Sequence, residues 1–350
     1  MTTIHEERSA ARVDGMPADV PPVLGVPEIA GIRFRGLVRP DDYPALAELG
    51  NVTAEADGIR ERNSAEELAN WIEHDPKRDL ARDVILVEVD GAVIASAMGG
   101  WELDNDGGHN YGTWGAVLPA WRRRGIGTAL LRWVEARQRQ FAQTHAPGIA
   151  KRLQSWAYGQ EQARIALLER HGYEIVRYWF EMERPDLNAI PDVPLPEGFT
   201  FRPGPKGDPR EVWDVVVSAF KDHFGGMDDS EEAYQGHLSD PNRDPSLWVL
   251  VEHEGRIVGT ALNRISRAEN EALGVKRGRV NAVAVLRDYR RRGLGRSIVA
   301  ESLRVLRKAG MSSATLGVDA QNPHGALGLY ESLGFAVVEE GRIYRKPLES

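Results

Sequence analysis

Hydrophobic and polar positions alternate along the chain in a pattern that is written twice. Ile85-Leu86-Val87-Glu88-Val89-Asp90-Gly91 and Val249-Leu250-Val251-Glu252-His253-Glu254-Gly255 are each an apolar strand that runs into a glycine-containing turn and a second strand, which predicts one hairpin per copy. Further on, Ile126, Leu130, Trp133 and Val134 keep a helical stripe, as do Leu294, Ile298, Leu303 and Leu306. Both long helices are therefore expected to begin just after a glycine-rich turn. Each copy reads as a strand, one or two helices, a hairpin, a third apolar strand, the long helix, another strand and a final helix, a mixed α/β order.

Sliding the chain against itself by roughly 165 residues brings five segments into register in the same order. Ile32-Arg33-Phe34-Arg35 meets Phe199-Thr200-Phe201-Arg202; Ser64 to Pro76 meets Ser230 to Pro241; the hairpins meet; Val117 to Gly127 meets Val285 to Gly295; His171-Gly172-Tyr173 meets Leu333-Gly334-Phe335. Two related domains follow, at 31–188 and 199–350. Between them, 189–198 is too rich in proline for regular structure and reads as an extended linker, and residues 1–30, with Pro17, Pro21, Pro22 and Pro27, read as a tail or a strap on the first domain.

Composition narrows the chemistry. Of the 350 residues, 42% are hydrophobic and 27% charged, the balance of a folded soluble chain, and there is no cysteine, which removes thiol nucleophiles, disulfides and thiolate metal sites. No apolar run is long enough to span a bilayer and the first thirty residues lack a signal-like block, so a cytoplasmic location without membrane contact is the default expectation. A net charge of −8 opposes nucleic acid as a partner and leaves a small molecule, with the chain a monomer or a dimer.

Against that acidic background, the runs Arg122-Arg123-Arg124 and Arg290-Arg291-Arg292 stand out, each followed by Gly-x-Gly at the start of a long helix. Glycine admits positive φ and close approach of a ligand, the first helical N–H groups are unpaired, and arginine adds charge-assisted bonds, so the turn suits a phosphate. A dinucleotide fold would want a third glycine, where Leu130 and Ile298 stand, and the Lys-Ser/Thr of a P-loop is missing.

The string V-x-x-x-[YW]-R-R-R-G-[IL]-G opening a long helix resembles the pyrophosphate-binding motif of the GNAT superfamily of N-acetyltransferases, in both halves. The resemblance implies two tandem GNAT-like domains, each a curved mixed sheet flanked by helices, with acetyl-CoA as co-substrate and no metal. It places Arg290, Arg291, Arg292, Gly293, Leu294, Gly295 and Arg296 on the pyrophosphate, and Val283 and Val285 on the pantetheine arm. The first copy's equivalents are Gly115, Val117, Arg122, Arg123, Arg124, Gly125, Ile126, Gly127 and Thr128.

Asn322 to Phe335 is similar to the family's second signature, N-x-x-A-x-x-x-Y-x-x-x-G-F. On its own, Asn322-Pro323 suits a helix cap and first position, and Ala326, Leu329, Tyr330 and Leu333 form one apolar face. With the resemblance, Asn322 joins the coenzyme site and Tyr330 becomes the general acid that protonates the departing thiolate. The first copy has Gln160 and Leu168 at these places, which implies a non-catalytic domain. The glutamate that the family often sets before the turn is replaced by Arg279, Val280 and Asn281, leaving Asp222 or His223, in the Phe220-Lys221-Asp222-His223-Phe224-Gly225 segment, as bases. The expected activity is acetyl transfer by direct attack of a small-molecule primary amine; the alternative is an acyl-CoA-binding regulatory module.

Overall fold

The computed structural model describes residues 9–205, 209–221, 223–225, 227–322 and 325–348. The first copy runs β1 (Ala10–Ala11), β2 (Val23–Leu24), β3 (Ile32–Gly36), α1 (Tyr43–Asp57), α2 (Ala65–Glu73), β4 (Val84–Val89), β5 (Ala92–Leu103), β6 (His109–Val117), α3 (Ile126–Ala142), β7 (Lys151–Tyr158), α4 (Gln162–Arg170) and β8 (Glu174–Arg184). The second runs β9 (Thr200–Arg202), α5 (Arg210–Phe220), α6 (Glu231–Ser239), β10 (Val249–His253), β11 (Arg256–Ala261), α7 (Arg267–Leu273), β12 (Arg277–Arg279), β13 (Ala284–Val285), α8 (Leu294–Lys308), β14 (Ser313–Asp319), α9 (Ala326–Glu331) and β15 (Ala336–Pro347).

The chain condenses into two compact units, and the repeat in sequence is not the unit in space. Unit 1 holds the residues up to Val176 together with those from Arg342 onward; unit 2 holds Arg177–Gly341. Each copy's last strand thus ends among the other copy's residues.

In unit 1 the strand order is β3, β4, β5, β6, β7, antiparallel until β6 and β7, which run parallel. Helix α3 buries Ile126, Ala129, Leu130, Trp133 and Val134 against Ile85, Val87, Ile94 and Ala97. The segment before β3 is a strap: Val13 and Val23 are buried in that core, and the Trp133 indole N–H donates to Pro21 O at 2.9 Å. The chain's end is fastened to this unit. Tyr344 is fully buried with Tyr111 and Leu153, the Arg345 guanidinium pairs with Asp104 at 2.8 Å and Lys346 with Glu135 at 2.6 Å.

In unit 2, β13, β11, β10 and β9 form one antiparallel set, while β12 lies parallel to β14, which pairs antiparallel with β8. Residues 185–199 have no regular structure, yet they lie along α8: Leu187 is buried, Ser297 Oγ donates to Pro194 O at 2.9 Å, and Arg304 to Pro191 O at 2.9 Å. The two hairpins match in detail. Asp90 (φ 52°) and Gly91 (φ 80°), like Glu254 (φ 50°) and Gly255 (φ 77°), are both left-handed, the type I′ geometry that suits strand twist, and each pair carries a register shift at the same place, Val87/Glu88 and Val251/Glu252.

Candidate active site

The site in unit 2 begins where a strand changes partners. Arg277–Arg279 pair with Ser313–Thr315 of β14, and Val280 N–H still donates to Thr315 O at 2.8 Å. Then Ala282 turns left-handed (φ 46°), and Ala284 and Val285 pair with Thr260 and Gly259 of β11 instead. β13 is consequently the edge of its sheet, diverging from β14, with Val283 and Val285 half-buried beside the opening. An edge strand offers backbone donors and acceptors to an extended ligand.

The arginine-glycine turn follows directly. Arg291 has φ 60° and Gly293 φ 88°, so positive φ recurs at alternate residues, a conformation that turns successive N–H groups toward one concavity. Gly293 caps α8 with no side-chain hydrogen bond; its carbonyl accepts from the Arg296 and Ser297 N–H groups at 3.1 and 3.3 Å, and the N–H groups of Leu294 and Gly295 face solvent or an anion. Arg291, Arg292 and Arg296 are exposed around it, and Leu294 is buried beneath. Arg290 has a different task. Its Nε donates to Val285 O at 3.1 Å and its Nη2 to Ala219 O at 2.8 Å, tying the turn to the strand and to α5.

The first copy is built alike. Arg122 Nε donates to Val117 O at 3.1 Å, and its other nitrogens grip Asp57 at 2.6 and 2.8 Å; Arg123 (φ 62°) and Gly125 (φ 89°) repeat the alternation, Arg123 and Arg124 are exposed, and Gly125 caps α3 without a side-chain bond. A cavity of about 340 Å³ opens here, lined by Gly115, Val117, Arg122, Gly127, Thr128, Arg164 and Leu167 among others.

Tyr330 lies on α9, packed among Val299, Leu303, Leu316 and Phe335, its ring edge-on to Phe335 at 6.1 Å. Burial alone pushes its hydroxyl up to about 12. Leu168, at the equivalent place in the first copy, is buried and apolar. The apolar-face reading of α9 therefore describes the packing, whereas the cap reading does not: the helix starts at Ala326 with left-handed Gly325 (φ 74°) as its cap, and Asn322 stands before it, its N–H bonded to Asp319 O at 3.0 Å.

His223 sits just after α5, 5.2 Å from Phe220 and 5.8 Å from Trp179 between ring centres. Its Nδ1 lies 3.0 Å from Phe224 O. Since a carbonyl only accepts, Nδ1 carries the hydrogen and Nε2 of the neutral ring is the basic nitrogen. The Phe224 ring lies 4.5 Å from the Arg177 guanidinium, which holds buried Asp319 at 2.8 and 2.5 Å. Asp222 lies outside the described residues.

Sequence reasoning missed one pair. Arg279, in the segment before the turn, is bound through both terminal nitrogens to Glu181 of β8, at 2.5 and 3.0 Å. Nothing in the local pattern of β8 marks Glu181; its 98-residue separation from Arg279 makes the pair visible only in three dimensions.

Comparison with known proteins adds the family. Residues 212–335 match the model of the acetyltransferase (GNAT) family, and residues 81–175 match that of an acetyltransferase (GNAT) domain. A mycothiol acetyltransferase from Thermobispora bispora is 30% identical over 308 residues, which are 88% of this chain and 97% of that protein. Among solved structures, a GCN5-related N-acetyltransferase from Sphaerobacter thermophilus superposes with a TM-score of 0.69 at 28% identity, covering 92% of this chain and 97% of that one. A tandem GNAT protein from the clavulanic acid biosynthesis pathway superposes with a TM-score of 0.65 over 91% of this chain and 99% of that one, at 17% identity.

Proposed function

Because this chain belongs to the GNAT family of acetyltransferases, we propose that it moves the acetyl group of acetyl-CoA to a primary amine of a small molecule, and that the transfer occurs in unit 2. One observation carries the proposal: the uncapped start of α8, with left-handed Arg291 and Gly293, adjoins the free edge of β13. In this reading the N–H groups of Arg292 to Gly295 and the exposed side chain of Arg296 hold the pyrophosphate, Val283 and Val285 offer backbone bonds to the pantetheine arm, and Asn322 borders the coenzyme. The relatives named mycothiol acetyltransferase favour a small-molecule acceptor.

The thioester supplies an activated acyl carbon. The amine lone pair attacks that carbon, a C–N bond forms, and the C–S bond breaks with its electron pair on sulfur. Tyr330 gives its hydroxyl proton to the thiolate and regains one from solvent. The proton that the nitrogen must shed goes to Nε2 of neutral His223, directly or through a water. Unit 1 lacks the proton donor at Leu168 and serves as the non-catalytic half.

Tyr330→Phe tests this. The ring keeps its packing and loses only the hydroxyl, so kcat for thiol release should fall about 10²- to 10⁴-fold while coenzyme affinity, measured by calorimetry, stays unchanged. A turnover within threefold of the parent protein would remove Tyr330 from the mechanism.

A further inference from the structure

Within one chain, the two copies serve as controls for each other at the place where the strands diverge. In unit 1, β6 pairs with β7 from His109–Lys151 to Thr113–Ser155, and then the two strands part. Aligned on the turns, Gly115 corresponds to Val283; aligned on Gly172 and Gly334, Ser155 corresponds to Gly317 and Arg164 to Ala326. At these two positions beside the diverging strands unit 1 has Arg164 and Ser155, whereas unit 2 has Ala326, which cannot reach a strand carbonyl with a charged group, and Gly317, against which the side chains of Trp179 and Arg279 pack.

Arg164 does not turn outward. From α4 its Nη1 donates to Gly115 O at 2.9 Å, while Nη2 donates to Ser155 Oγ at 3.3 Å and reaches Thr113 O at 3.5 Å, so one guanidinium bridges both strands at the point where their own pairing ends. Glu161, one turn earlier, stands 3.9 Å from Nη1. Gly115 O is the counterpart of the Val283 carbonyl, an acceptor that an extended amide arm would use in unit 2. In unit 1 a planar, permanently charged fork already occupies it, with charge-assisted bonds that an uncharged amide cannot match. The remaining cavity, about 340 Å³, is at the small end for a ligand site.

We propose that Arg164 is a built-in stopper that keeps the pantetheine arm out of unit 1, so that the chain takes one acyl-CoA, in unit 2, although it carries two coenzyme-type turns. The proposal rests on the reading that unit 2 binds acyl-CoA. It explains why the first turn is intact while α4 is not suited to a coenzyme: the turn still closes the domain structurally through Arg122 and Asp57, and Arg164 replaces the arm as the bridge between strands.

Isothermal titration of the full chain with acetyl-CoA tests it. The parent protein should bind one equivalent and Arg164→Ala two, the second within about tenfold of the first in affinity, with kcat of unit 2 unchanged within twofold. Arg164→Ser is the second variant should the alanine protein melt early. Two equivalents on the parent protein overturn the stopper, as does the absence of an added site on both folded variants. If the parent protein binds none and the variants bind one, the stopper stands and the assignment of acyl-CoA to unit 2 falls.

Discussion

Gly293→Ala separates the geometry of the turn from its mere presence. Gly293 has φ 88° and ψ −8°, and a Cβ built on it meets no atom within 4 Å, so the substitution is sterically open and costs only backbone strain. An L-residue held left-handed costs about 1–2 kcal/mol, which for a unit of this size lowers Tm by about 2–4 °C per kcal/mol. If the strain is relieved by rotation, the N–H groups of Leu294 and Gly295 turn away from their common target. Each charge-assisted bond lost is worth about 1.5–3 kcal/mol, or roughly ten- to hundredfold in Kd for acetyl-CoA. Gly310→Ala is the matched control, because Gly310 (φ 90°, no atom within 4 Å of its Cβ) carries the same strain beyond the other end of α8. Calorimetric Kd and thermal melts of both variants give the answer. Equal losses of Tm with equal and unchanged Kd would refute the assignment of the α8 turn to the coenzyme.

Three further outcomes follow from the packing. With Tyr330 pushed up to about 12 by burial, its hydroxyl stays protonated through the alkaline range, so kcat should show no fall between pH 7 and about 10 that disappears in Tyr330→Phe; such a fall would contradict the buried donor. His109 and His145, whose rings lie 4.4 Å apart beside Trp101, are both held below the usual histidine range, chiefly by burial and further by Lys151. Their contribution to stability is complete above the unfolded value of about 6.5 and is lost as pH falls below it, so Tm should drop on acidification, and less steeply in His145→Gln; parallel curves would show that the pair does not set the acid limit. Tyr344→Ala should destabilise unit 1 by about 3–5 kcal/mol, although Tyr344 belongs to the second copy, and proteolysis should first release fragments of 31–176; cleavage confined to unit 2 would disprove the fastening.

What the sequence determined by itself is local. Apolar alternation set the hairpins, with Asp90-Gly91 and Glu254-Gly255 at their turns, and the stripes Ile126–Val134 and Leu294–Leu306 set the long helices, because period and turn chemistry act over a few residues. The glycine turns, and the loss of a hydroxyl at Leu168, were legible for the same reason. Tertiary structure decided the pairings between residues far apart in the chain. It set Glu181 on Arg279, buried Tyr344 in unit 1, laid the proline-rich segment along α8, moved the start of α9 from Asn322 to Ala326, and turned Arg164 across two strands rather than to solvent. Long side chains and strand ends find their partners by where the chain returns in space: α4 brings Arg164 to Gly115 O and Ser155 Oγ, beside the Thr113 carbonyl that already accepts from Ser155 Oγ at 2.8 Å.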